Sequence, residues 1–138
     1  GLTATAGGLT VTSGGVAVDA GDVVLTEGLV KMENGGSVTQ GTSKSTTVVL
    51  NVPCGKITMH NAALADAAIV TFTVTDSHAR ATDIVLINHH SGGTVGGYSI
   101  DATGAASGSF KITVTNISGG SLTDALVLHF ALVQIAHT

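Results

Sequence analysis

Residues 1–42 read GLTATAG, GLTVTSG, GVAVDAG, DVVLTEG, LVKMENG and GSVTQGT when cut in sevens. Gly7, Gly14, Gly21, Gly28 and Gly35 close successive units, and Gly1, Gly8, Gly15 and Gly36 open others. The second position is apolar through the first five units (Leu2, Leu9, Val16, Val23, Val30), and so is the fourth (Ala4, Val11, Val18, Leu25, Met32). Positions three and five carry mostly Thr, Asp, Glu or Lys, with Ala17 and Val24 as exceptions. Alternation with period two marks a short strand with one buried face, and the glycines mark turns at fixed intervals. Self-similarity at a fixed period is the signature of a repeat architecture. Strands this short cannot close a core alone. The repeat therefore needs neighbours, and with so few units the expected neighbours are other chains. The expectation is a β-spiral or triple β-helix stalk over residues 1–41, three chains wound together. The alternative is a single-chain, three-sided β-solenoid.

Composition narrows the rest. Hydrophobic residues make up 43% of the 138, but aromatics only 3%, so the core must be built from Ala, Val, Leu and Ile. High Thr, Val and Gly with few helix formers points to an all-β protein. Five basic against nine acidic residues, net charge −4, leave no electrostatic footprint for nucleic acid. No apolar run reaches the length of about eighteen residues that a spanning helix needs, so no membrane insertion is expected. No basic segment followed by an apolar one reads as a secretion signal. One cysteine, Cys54, excludes an intrachain disulfide framework.

Residues 36–47 are polar and read as a connector, with the head domain placed at 42–138. Residues 46–52, TTVVLNV, read as a strand ended by Pro53, which has no N–H for a ladder. Residues 56–60, KITMH, read as the next, and residues 61–67, NAALADA, as a turn. Residues 69–75 alternate Val70, Phe72 and Val74 with threonines, the pattern of a half-buried strand. Residues 83–90, DIVLINHH, are apolar on both faces and read as a central strand. Strands at 98–102 and 109–116 flank a turn, and 125–136 forms a last strand with Leu126, Leu128, Phe130 and Leu132 on one face and Val127, Ala131 and Val133 on the other. Such spacing indicates a seven- to eight-stranded antiparallel β-sandwich, jelly-roll-like, with almost no helix.

Chemistry is sparse. His60, His78, His89, His90, His129 and His137 include no zinc-finger or HExxH spacing, and Cys54 has no Cys partner. His89 and His90 are adjacent on a strand and point to opposite faces. His129, among Val127, Leu128 and Phe130, is the one metal candidate, because a histidine on a three-fold axis becomes three converging ligands. The competing and favoured reading is a hydrogen-bonded core or interface histidine. Asp76, Ser77 and His78 are too close in sequence for a hydrolase triad, and no GxSxG elbow is present. Glycoside cleavage needs an aromatic-lined cleft that three Phe, one Tyr and no Trp supply poorly. Asp19, Asp22, Glu27 and Glu33 lack the spacing of a calcium-binding nonapeptide and read as a solvated face. The SGGTVGG loop at 91–97 lacks a GK[ST] ending and a following helix. No active site and no cofactor are expected.

From Val38 to Ile135 the chain resembles a β-sandwich domain at the C-terminal end of bacteriophage and prophage virion proteins. The resemblance rests on TSKST, GKITMHNAALA, ATDIVLINHHSGGT, GSFKITVTN and SGGSLTDALVLHFAL. It implies a non-enzymatic homotrimer on the outer surface of a virion, in contact with other capsid or tail proteins. An external fibre, spike or appendage component comes first. A trimeric capsid decoration protein is the close alternative, and a module recognising a host surface glycan is the third. The expected subunit interface is Leu2, Leu9, Val11, Val16, Val18, Val23, Leu25, Val30 and Met32 of the stalk, with Val127, His129, Ala131 and Val133 of the last strand. No histidine belongs to a motif of the family.

Overall fold

The computed structural model describes residues 8–135, which contain no helix; Leu2 and His137 lie outside them. Eight strands follow in order: β1 (Gly35–Thr39), β2 (Val48–Val49), β3 (Cys54–Thr58), β4 (Ile69–Thr75), β5 (Ile84–Ser91), β6 (Tyr98–Ala106), β7 (Ser109–Asn116) and β8 (Val127–Val133). They form two four-stranded sheets. Sheet A has the order β1-β3-β8-β5, and sheet B the order β2-β4-β7-β6.

The all-β expectation holds, but the sandwich is mixed rather than antiparallel and jelly-roll-like. From β1 to β6 the chain changes sheet at every connection. Each crossing reverses its direction, so strands two apart in sequence enter the same sheet running the same way. β1 pairs with β3, and β2 with β4, in parallel. The remaining pairs are antiparallel, including the β6–β7 hairpin.

The core lies between the sheets. Ile57, Leu128, Phe130 and Leu132 of sheet A meet Val48, Phe72, Val74, Phe110, Ile112 and Val114 of sheet B. Phe110 and Phe130 touch across the sandwich with ring centroids 5.1 Å apart. Two glycines make that closure feasible. A Cβ on Gly55 would come within 2.8 Å of Leu50 Cδ2 and 3.0 Å of Phe130 Cε1, and one on Gly36 within 3.0 Å of Leu50 Cδ1. Gly36 opens the degenerate sixth unit of the repeat, and that unit departs from the pattern because it is a strand of sheet A.

Several boundaries differ from expectation. The strand expected over 46–52 keeps only Val48–Val49, because the Leu50 N–H donates to Thr75 O and the Val52 N–H turns back to Leu50 O. The last strand ends at Val133. β5 is an edge strand, not a central one, and its outward Ile84 and Leu86 are about half exposed, at 48% and 55%. The chain divides into two units between Lys31 and Met32, short of the boundary expected near Gly41, and β1 belongs to the sandwich.

Taken alone, residues 8–31 contain no strand, and every one is exposed. Gly8, Gly14 and Gly21, which lie at the junctions between units, have φ of 71°, 78° and 96°. The expected stalk strands are not formed: a short segment has no ladder to join unless another strand supplies it.

Replacing Gly55 by Val should lower stability by about 1–3 kcal/mol, the cost of overpacking a close-packed site. Gly41→Ala, where an added Cβ meets nothing within 4 Å, should stay within about 0.5 kcal/mol of the parent. Urea midpoints at constant slope measure both, and an equal effect at the two positions would contradict the packing described.

Candidate functional site

The two sheets show solvent different chemistry. Sheet B carries Thr71, Thr73 and Thr75 on β4, Lys111, Thr113 and Thr115 on β7, and Ser99, Asp101 and Thr103 on β6, with Val49 of β2 and Ile69 of β4 as its exposed apolar side chains. Thr71 and Thr113 sit in register and share a hydrogen bond of 2.8 Å between their hydroxyls. That is a solvated face, with cross-strand hydroxyl pairs of the kind that stabilise a sheet.

The outer face of sheet A mixes apolar with polar side chains. Its outer face carries Ile84, Leu86 and Asn88 of β5 in register with Val133, Ala131 and His129 of β8, and Cys54 and Lys56 of β3 in register with Ala131 and His129. None of its four strands contains an Asp or Glu. All four residues of β8 expected at an interface (Val127, His129, Ala131 and Val133) fall on this face. Ile84, Leu86, Lys56 and His90 belong to it too and were missed by the sequence reading.

His129 is the centre of the face. The ring of His90 stacks on it, centroids 3.7 Å apart and planes within 11°. The register with β8 shifts between His89 and Ser91, so His90 sits at an irregularity within β5. His89 points the other way, edge-on to Tyr98. Two hollows flank His129: one of about 520 Å³ over β1 and β3, bordered by Ser37, Cys54 and Lys56, and one of about 240 Å³ bordered by Leu86 and Asn88. Partial burial, then the neighbouring His90 and Lys56, hold the His129 pKa below its usual 6.5. A histidine with a lowered folded pKa leaves stability fully present above its unfolded value and takes it away as pH falls through that value. Among the described residues no three His, Cys, Asp or Glu side chains converge, and His129 meets another imidazole instead of a ligand set.

A second cluster is structural. Lys44, only 3% exposed, donates from Nζ to the carbonyl oxygens of His60 (2.7 Å) and Asp124. Gln40 Nε2 donates to Lys44 O and Thr46 O, while its Oε1 accepts from the His60 N–H. Asp124 Oδ2 accepts from the Thr94 N–H at 2.8 Å and from the Tyr98 hydroxyl at 3.1 Å. These bonds tie the segments that follow β1 and β3 to those that precede β6 and β8. The TSKST segment read as a connector thus holds a buried cation, which no periodicity could have shown. Burial lowers the Lys44 pKa, and Asp124 offsets part of that shift.

Asp76–His78 is a capped turn. Asp76 Oδ1 accepts from the His78 N–H at 2.9 Å and lies 3.2 Å from His78 Nδ1. His60 Nδ1 accepts from the Ala62 N–H in another turn. Phe72, Tyr98, Phe110 and Phe130 are all buried, so no aromatic ring is free to stack on a sugar.

Set against known protein families, characterised proteins and solved structures, the chain matches none of them. The outer face of sheet A is therefore judged on its own chemistry. Its four strands carry no acid, and Ile84, Leu86 and Val133 stand exposed on it beside the His90–His129 stack.

Tyr98 is the one tyrosine, so its ionisation is readable by ultraviolet absorbance. Burial and the hydrogen bond to Asp124 push its pKa up to about 12 from 10.0. The absorbance midpoint should lie near pH 12, and Asp124→Asn should bring it down. The stability that depends on the protonated phenol is intact below pH 10 and disappears as pH rises through the folded value. A wild-type midpoint near 10 would contradict the buried network.

Proposed function

We propose that this chain is a non-enzymatic, homotrimeric structural protein of a bacteriophage virion, an external fibre, spike or appendage component. One observation carries the trimer. Leu9, Val11, Val16, Val18, Val23, Val24, Leu25, Leu29, Val30 and Met32 are between 41% and 94% exposed in the single chain. All but Val24 and Leu29 keep the second and fourth positions of the repeat, and so many exposed apolar side chains are of the kind that marks an interaction site. Three copies wound side by side supply both what one copy lacks, namely strand partners for the backbone and cover for the stripe. The repeat is then a stalk of the β-spiral or triple β-helix kind. Glycines at turns and acids on the outward rows suit that arrangement. The phage assignment rests on the resemblance of residues 38–135 to virion sandwich domains. The buried aromatics favour an assembly role over sugar recognition.

Sedimentation equilibrium at micromolar protein should return three times the 13.6 kDa chain mass. Val18→Asp puts an unpaired carboxylate into the covered stripe, where it costs several kcal/mol, and should weaken association by at least about a hundredfold. Thr12→Asp, on the outward row, should leave it unchanged. A monomeric parent, or equal effects at the two positions, would refute the trimer or its register. Antibody raised against the head should label the outside of intact particles from the host, and absence of the protein from purified particles would remove the virion reading.

A further inference from the structure

We propose that Asn34 is a site of self-modification, at which the backbone nitrogen of Gly35 attacks the Asn34 side chain and converts it to aspartyl and isoaspartyl forms. Water is the only co-reactant. A bond forms between Gly35 N and Asn34 Cγ, and the Gly35 proton passes through solvent to the amide nitrogen, which leaves as ammonia. The cyclic imide then takes up a water molecule. Opening at Cγ gives aspartate. Opening at the main-chain carbonyl gives isoaspartate, whose backbone runs through Cβ and Cγ.

The structure singles out Asn34 from Asn51, Asn61, Asn88 and Asn116. It alone is followed by Gly, which has no Cβ to crowd the attacking nitrogen. It is exposed and stands just before β1, outside the ladder. The others are held or hindered. Asn51 Oδ1 accepts from the Ser77 N–H at 2.9 Å, and the Val52 N–H that would attack donates to Leu50 O. Asn61 is exposed too, but the Ala62 N–H beside it donates to His60 Nδ1 at 3.0 Å. Asn88 lies within β5 and precedes His89. Asn116 is fully buried, its Nδ2 donating to Leu64 O and Gly120 O at 2.7 Å each.

The position gives the change an effect. On one side Met32 O lies 3.9 Å from Cys54 Sγ, and on the other Gly35 pairs with Cys54 at the start of the β1–β3 ladder. An isoaspartyl link puts an extra atom into the main chain between these two contacts and so alters their spacing. Either product also adds a negative charge to a chain whose net charge is already −4. The segment leading from the repeat into β1 therefore ages chemically at a rate set by its own sequence.

The test incubates the full chain for weeks at neutral pH and physiological temperature, then maps it by tryptic digestion and mass spectrometry. Residues 32–44 lie between two tryptic sites, Lys31 and Lys44, and Asn34 is the only asparagine among them. Fragmentation should place a gain of about one dalton at residue 34, with two chromatographic forms, at least about tenfold faster than at any other asparagine. Gly35→Ala should slow the gain by at least about tenfold. Its Cβ would sit 3.6 Å from Cys54 O and 3.7 Å from Cys54 Sγ, ordinary contact distances, so the circular dichroism of the parent should be kept. Asn34→Gln, whose longer arm must close a larger ring, should abolish the gain at this position. A folded parent unchanged at residue 34 overturns the proposal, as does earlier change at another asparagine or a folded Gly35→Ala variant that ages at the parental rate.

Discussion

The contact between Phe110 and Phe130 is the constraint on which the sandwich depends. Each sheet can bury only one face of its strands against the other, and the chain has few large side chains with which to fill the space. The gap closes because sheet A gives up volume elsewhere. Gly36 and Gly55 carry no Cβ, so Leu50 and Phe130 come down onto the backbone of β1 and β3. Interiors pack at crystal-like density, and a methyl group placed at Gly55 has no space to enter. The short β2 follows from the same need. The chain leaves the sheet after Val49 so that Leu50 can occupy the space left by the two glycines.

Polar groups were placed by the same closure. Crossing between sheets five times between β1 and β6 leaves connections that run over the ends of the core. Their carbonyl oxygens need donors once water is excluded, because a buried unpaired polar group costs about 1–3 kcal/mol. Lys44 supplies its ammonium to two of them and Gln40 its amide to two more. Asn116, fully buried, does likewise for Leu64 and Gly120. A buried lysine without a carboxylate contact is tolerable here because two backbone carbonyl dipoles converge on it, with Asp124 adding a longer-range attraction.

What the sequence made legible was local. The strands Ile69–Thr75 and Ser109–Asn116 have the expected bounds because Val70, Phe72 and Val74, and Phe110, Ile112 and Val114, alternate strictly with polar residues. The inward and outward rows of β8 were legible for the same reason. Which sheet a strand joins was not, because alternation tells a residue which way to face and says nothing about its neighbours. The parallel pairs went unseen for that reason. For β5, grease on both faces suggested a central position, but an edge strand covered by another molecule has the same composition. The part of the candidate face that escaped notice was the part on β5. Its signal was present in Ile84 and Leu86, and only knowledge of its place in the sheet converts it into a surface.

The two outer faces differ in charge and in hydroxyl content. Sheet B carries both Lys111 and Asp101 beside its threonines, and the hydroxyls of Thr71 and Thr113 satisfy each other. Sheet A has no acid on any strand, and its threonines and serines are confined to the ends of β3 and β5 and to β1. Sheet A has exposed edges at β1 and β5, which in isolation invite indiscriminate strand addition.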